Sequence, residues 1–160
     1  MLFNGSELRA RAVEEVVIPR QSGPLVFKFQ SILDLEEFDK RVPIPEPPMV
    51  KRKGGDQLEP KLDDENYQQA LKDRGDKRFN WLFLDTIKAT EWLTWETVDL
   101  DDPETWGNYE QELKNAGFSY IERDVLLGIA MRVNSLEPEY IERATKDFLA
   151  GRLDQEKGEG

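Results

Sequence analysis

The chain lacks cysteine and histidine altogether. Without cysteine there is no disulfide, no thiolate nucleophile and no Cys-based zinc or iron–sulfur site. Without histidine the commonest general base and the usual zinc ligand are gone, and with them every Ser-His-Asp or Cys-His arrangement. No apolar run approaches the ~18 residues that span a bilayer. The opening residues Met1 to Glu7 carry no basic leader before an apolar core. No signal peptide is therefore expected, and the reading is cytosolic. Basic residues are in the minority, with 22 Lys and Arg against 33 Asp and Glu and a formal net charge of −11. That sign opposes phosphate backbones and anionic lipid, so neither nucleic acid nor a membrane surface is expected as a partner. Carboxylate pairs, Lys, Tyr and oxygen-ligated metals remain for chemistry. Carboxylates are so numerous that no pair singles itself out. The expectation is a protein without catalytic residues or cofactor that works by binding other proteins.

A chain of 160 residues suits one domain, with or without a small appendage, and can bury a core without staples. The expected fold class is α+β, mostly α. Residues 1–42 read as an N-terminal β-hairpin plus a short helix. After a frayed lead-in over 1–12, Val16-Val17-Ile18 and Leu25-Val26-Phe27-Lys28-Phe29 flank a Pro/Ser/Gly turn. From Ser31 to Val42 the spacing of Leu35, Phe38 and Val42 predicts a helix. The prolines at 43, 45, 47 and 48, then Gly54-Gly55, predict an extended arm without regular structure over 43–62. Its apolar Ile44, Met49 and Val50 are expected to pack against a surface.

Residues 63–151 read as a helical body. Asp63 or Asp64 caps a first helix with Tyr67, Leu71, Arg78 and Leu82 along one side and Gly75 as a weak point. It runs into the apolar stretch Phe79 to Ile87. Trp92, Trp95 and Val98 follow in a short strand or irregular segment. Asp102-Pro103 opens a helix whose inner face is Trp106, Tyr109 and Leu113, stopped by Gly117. Ser119 and Glu122 form a capping box for a helix with the stripe Ile121, Val125, Ile129 and Val133. Pro138 opens a last helix with Ile141, Ala144 and Phe148, closed by Gly151. Residues 152–160 read as a disordered tail.

Five features could carry function. The Pro-rich arm could dock on a groove or lie along a neighbour, or it could be a spacer. Four tryptophans cluster between 81 and 106. Core is the plain reading for such residues, but Trp92 and Trp95 lie outside any helical stripe and are candidates for a partner surface. The candidate partner-binding residues are Trp92, Trp95, Ile44 and Met49. Asp99, Asp101, Asp102 and Glu104 offer oxygen ligands but lack the spacing of a calcium loop, so their expected work is local capping. Arg74-Gly75-Asp76 falls within a helical pattern, which does not suit an adhesion signal. Lys51-Arg52-Lys53 reads as a solvated basic patch.

The order of these elements resembles the tail assembly chaperones of long-tailed bacteriophages. The resemblance rests on Phe27-Lys28-Phe29 with Leu33 to Asp39, and on Pro43 to Pro48 followed by Gly54-Gly55. It extends through Trp92 to Asp99 with Pro103 to Trp106, and through Glu112 to Ser119, Asn134 to Leu136 and Ala144 to Gly151. With the opening hairpin that ends in Phe27-Lys28-Phe29, the resemblance covers roughly residues 14–151. The resemblance implies a small, mostly helical protein of the host cytoplasm, absent from the mature virion. It implies as partners a tape measure protein, whose long helix it would coat, and tail tube subunits. Self-association stays open. Two rival readings are kept. A head–tail connector or tail-completion protein would close into rings. An acidic DNA mimic would show carboxylates in regular rows, whereas here they mix with basic residues.

Overall fold

The computed structural model describes Leu2–Phe3, Ser6–Glu7, residues 11–134 and Thr145–Lys146. It is an α+β fold. Within the stretch read as a lead-in, β1 (Leu2–Phe3) pairs antiparallel with β2 (Ser6–Glu7). The main hairpin is β3 (Val13–Ile18) with β4 (Leu25–Gln30), in antiparallel register from Val13↔Gln30 to Ile18↔Leu25. Period-two alternation puts Val16, Ile18, Leu25, Phe27 and Phe29 on the inner face and leaves Val13, Val17 and Val26 exposed. A turn closed by Gly23 N–H donating to Arg20 O (3.1 Å) joins the strands, and Gly23 has φ 116°.

Helix α1 spans Glu36–Arg41, five residues later than its expected start at Ser31. The chain stays extended because Ser31 N–H still bonds Ala12 O and Ile32 N–H bonds Asn134 Oδ1, both at 2.8 Å. Asp34 Oδ1 then accepts from Glu36 N–H (3.0 Å) and starts the helix. The arm also departs from expectation. Met49–Lys51 (β5) and Leu58–Pro60 (β6) form an antiparallel hairpin around Gly54, which has φ 88°. The proline run ends at Pro48, so Met49 onward is free to pair. Every residue of both strands is exposed, and Ile44 and Met49 are 67% and 55% exposed. The expected packing of Ile44, Met49 and Val50 therefore does not occur, because the hairpin satisfies its backbone by itself.

Helix α2 (Glu65–Ile87) starts where the Asp64 carboxylate accepts from Tyr67 N–H (3.0 Å) and continues through Gly75. Its inner line runs through Tyr67, Leu71, Arg74, Trp81 and Leu84, and Arg78 is exposed rather than part of it. Arg74 lies inside because it has work there. Its guanidinium donates to Val42 O (3.1 Å), pairs with Asp39 and covers the Phe38 ring, fastening α1 to α2. That is the structural role of the Arg-Gly-Asp tripeptide.

The helix expected from Asp102-Pro103 begins later. Turns bridge to a 3-10 turn at Trp106–Asn108 and α3 (Tyr109–Asn115), with Trp106, Tyr109 and Leu113 buried. Gly117 at φ 86° ends α3, and Phe118 N–H returns to Leu113 O (3.0 Å). Helix α4 (Tyr120–Asn134) is preceded by the reciprocal Ser119–Glu122 box, at 2.8 and 3.2 Å. Its buried residues are Leu126, Ile129, Ala130 and Val133, whereas Ile121 and Val125 are exposed, Ile121 by 72%. That face packs on α2 and on the hairpin. Arg20 in its turn forks onto Glu122 (2.6 and 3.1 Å) and covers the Phe118 ring, while Arg132 pairs with Glu14.

One core joins the hairpin, α1 and the helices. Phe27, Phe29, Phe38, Phe83, Leu84, Ile87, Trp106 and Leu126 are its most deeply buried side chains. Each contributes about 1.5–3 kcal/mol by leaving water. Among the described residues no helix is long and apolar enough to cross a membrane. The helix expected at 138–151 and the tail at 152–160 lie outside the described residues, except that Thr145 and Lys146 are helical.

Candidate functional site

Between α2 and the 3-10 turn the chain runs without regular structure from Lys88 to Thr105, and side chains hold it in place. Thr90 is 3% exposed, and its hydroxyl accepts from Lys28 N–H (2.8 Å) and donates to Lys28 O (3.1 Å). Trp92 Nε1 donates to Val26 O (2.7 Å), and its ring meets Phe27 edge-on at 4.9 Å. Farther on, the Glu112 carboxylate accepts from the N–H of Glu96 (2.9 Å) and from both N–H and hydroxyl of Thr97 (2.6 Å each). Burial alone would raise the pKa of Glu112, but these hydrogen bonds outweigh it and hold the carboxyl below its ordinary value. Asn108 Nδ2 adds a bond to Thr97 O (3.0 Å).

This pinning opens a cleft of about 230 Å³ between the loop, the end of α3 and β4. Phe27, Leu113, Ala116 and Phe118 line it with Trp92 and Trp95. Trp95 is partly buried and meets Tyr109 edge-on at 6.4 Å. Trp92 is 48% exposed, whereas Trp81 and Trp106 are core. The structure thus separates four tryptophans that composition could not. It brings Trp92 and Trp95 to one cleft and leaves Ile44 and Met49 out on the arm. Phe27 and Leu113 were legible from periodicity as members of an apolar face, Phe118 was not singled out, and nothing in the sequence placed them opposite the tryptophans. Small-molecule sites typically occupy roughly 300–1,000 Å³. A smaller, apolar, open cleft suits one or two anchor side chains of a protein partner.

A larger concavity suits a ligand less well. A cleft of about 460 Å³ between α1 and α2 has Trp81 at its base. Most of its charges are spent on one another, Arg41 on Glu37 (2.8 Å) and Asp101 (2.7 Å), and Lys88 on Asp85. The acidic run is likewise engaged. Asp99 and Asp102 accept from the N–H of Asp101 (2.9 Å) and Glu104 (3.1 Å), and Glu104 pairs with Lys77. Among the described residues no three carboxylates gather as a metal site would require. Compared with known proteins, the chain matches no family model, and no curated protein or solved structure is significantly similar to it.

Proposed function

We propose that this chain is a non-catalytic phage tail assembly chaperone. It binds the tape measure protein through the Trp92–Trp95 cleft and helps recruit tail tube subunits in the host cytoplasm, without entering the mature virion. The observation that carries the protein-binding reading is the half-exposed Trp92 at the rim of an apolar cleft. Tryptophan is the residue most enriched at binding hot spots, and anchors of that kind sit beside well-packed apolar walls. The client comes from the sequence resemblance. A tape measure helix exposes apolar surface that aggregates when bare, and a partner of net charge −11 would cover it and keep the complex dispersed.

The test is co-expression with the tape measure protein of the same genome. The chain should hold that protein in solution and co-purify with it. Failure to retain it would refute the reading. Detection of the chain in purified virions would favour the connector instead.

A further inference from the structure

A second cleft, of about 180 Å³, opens between α3 and α4. Tyr109, Glu110, Tyr120, Arg123, Asp124 and Leu127 line it, and none of them lines the Trp92–Trp95 cleft. Helix α3 thus gives Leu113 and Ala116 to one cleft and Tyr109 and Glu110 to the other. Tyr109 is 3% exposed and stacks on Phe83 at 4.4 Å. Its hydroxyl is the one buried side-chain polar atom among the described residues without a hydrogen-bond partner. Such groups are rare in folded proteins, because leaving one unpaired costs free energy. The hydroxyl end of the ring belongs to this cleft. Burial pushes its pKa up, and the carboxylate of Glu110, part of the cleft wall, pushes it further.

The lining says what would pair with it. Glu110 and Asp124 stand against a single cation, Arg123. Among the described residues none of the three forms an ion pair. The net charge of −11 adds to the excess of negative sign. A phenol oxygen has lone pairs with which to accept, whereas an anion brought to it would meet Glu110 alongside. A lysine ammonium offers three donors, one for each of Glu110, Asp124 and the Tyr109 oxygen. Leu127 gives its alkyl stem an apolar surface, and the exposed Tyr120 ring offers a face to the charge. Arg123 is the one group that opposes a cation. Glu110 and Tyr120 are exposed, so both can turn to admit an incoming group without loss of packing. Ile121 and Val125, 72% and 45% exposed, follow Tyr120 and Asp124 on α4. That apolar surface beside the cleft favours a protein over a free amine as the source of the cation.

We propose that the α3–α4 cleft receives a lysine side chain of a partner protein, its ammonium held by Glu110 and Asp124 and donating to the Tyr109 hydroxyl oxygen. The site is separate from the Trp92–Trp95 cleft and does not depend on what fills that one.

The probe is the tripeptide acetyl-Ala-Lys-Ala-amide, titrated into the full chain at low salt and followed by backbone amide chemical shifts. Saturable shifts should gather at Tyr109, Glu110, Asp124 and Leu127, and acetyl-Ala-Glu-Ala-amide should produce none. Tyr109→Phe keeps the stacked ring, so urea unfolding should not weaken, yet peptide affinity should fall about tenfold. Glu110→Gln and Asp124→Asn should each weaken binding about two- to fivefold, and Arg123→Gln should strengthen it by a similar factor. The absence of saturable shifts with the lysine peptide would overturn the proposal. So would undiminished affinity in Tyr109→Phe, or tighter binding of the glutamate peptide with weakening by Arg123→Gln, which would mark an anion site. Saturation by spermidine without saturation by the peptide would place a small free amine in the cleft and overturn the choice of a protein. None of these outcomes bears on Trp92 or Trp95.

Discussion

Truncation of Trp92 separates a binding anchor from a core residue by magnitude. A core aromatic buries about 150–250 Å², and Trp92 is 48% exposed, so its buried share is about 100 Å². At about 25 cal/mol per Å² that gives about 2.5 kcal/mol, and a compact unfolded chain lowers the figure to about 2 kcal/mol. The bond from Nε1 to Val26 O adds little to the loss, because water can reach Val26 once the indole is gone. Trp92→Ala should therefore cost about 2 kcal/mol of stability in a urea titration followed by circular dichroism. Trp106→Ala, at a fully buried site, should cost about 3–5 kcal/mol. Client affinity measured by calorimetry should reverse that order, with Trp92→Ala losing about 2 kcal/mol or more and Trp95→Ala also weakened. Equal destabilisation at the two sites, or full client affinity after Trp92→Ala, would refute the assignment of Trp92 as an anchor.

Three further outcomes follow from single contacts. Arg20, together with the Ser119 N–H, holds Glu122 at a pKa of about 2, below the ordinary 4.5. A depressed carboxylate contributes stability that is complete above its unfolded pKa and fades as pH falls through the folded one, so the stability gap between wild type and Glu122→Gln should close between about pH 4.5 and 2 in thermal unfolding. Thr90→Val leaves Lys28 N–H and C=O without their hydroxyl partner and should cost about 1–3 kcal/mol, with faster amide exchange at Lys28. The Tyr109 hydroxyl is buried with no hydrogen-bond partner among the described residues, and burial, with Glu110 nearby, pushes its pKa up. Because a buried unpaired hydroxyl is unfavourable, Tyr109→Phe should be neutral or slightly stabilising in urea.

The features legible in the sequence were those encoded within a turn or two. Gly117, the Ser119–Glu122 box and the Asp64 cap each act through neighbours three to five residues away, so local spacing suffices to find them. The rotation of α4 was not legible. Apolar residues fill most of its circumference, and a four-residue stripe through Ile121 and Val125 fits as well as one through Leu126 and Ala130. The choice is made by packing on α2 and β4, and Arg20, 102 residues away in sequence, pairs with Glu122 in that orientation. The β5–β6 hairpin escaped for another reason. With every side chain exposed, its strands need no apolar alternation, and the prolines before them pointed to irregular structure. The cleft was half legible. Trp92 and Trp95 stood out by lacking a stripe, but their apolar walls come from β4 and α3 through tertiary packing alone.

Trp92 performs two tasks with one side chain. It is a wall of the cleft, and its indole guards the backbone of β4 at Val26. Any motion that swings the ring aside to widen the cleft strips that guard and frees Val26 O, although Thr90 still covers Lys28 on the same edge. Such remodelling would leave a backbone acceptor unpaired on a strand edge, at a cost in free energy. The cleft is thus constrained to act as a fixed mould, and an occupant would have to fit it as it stands.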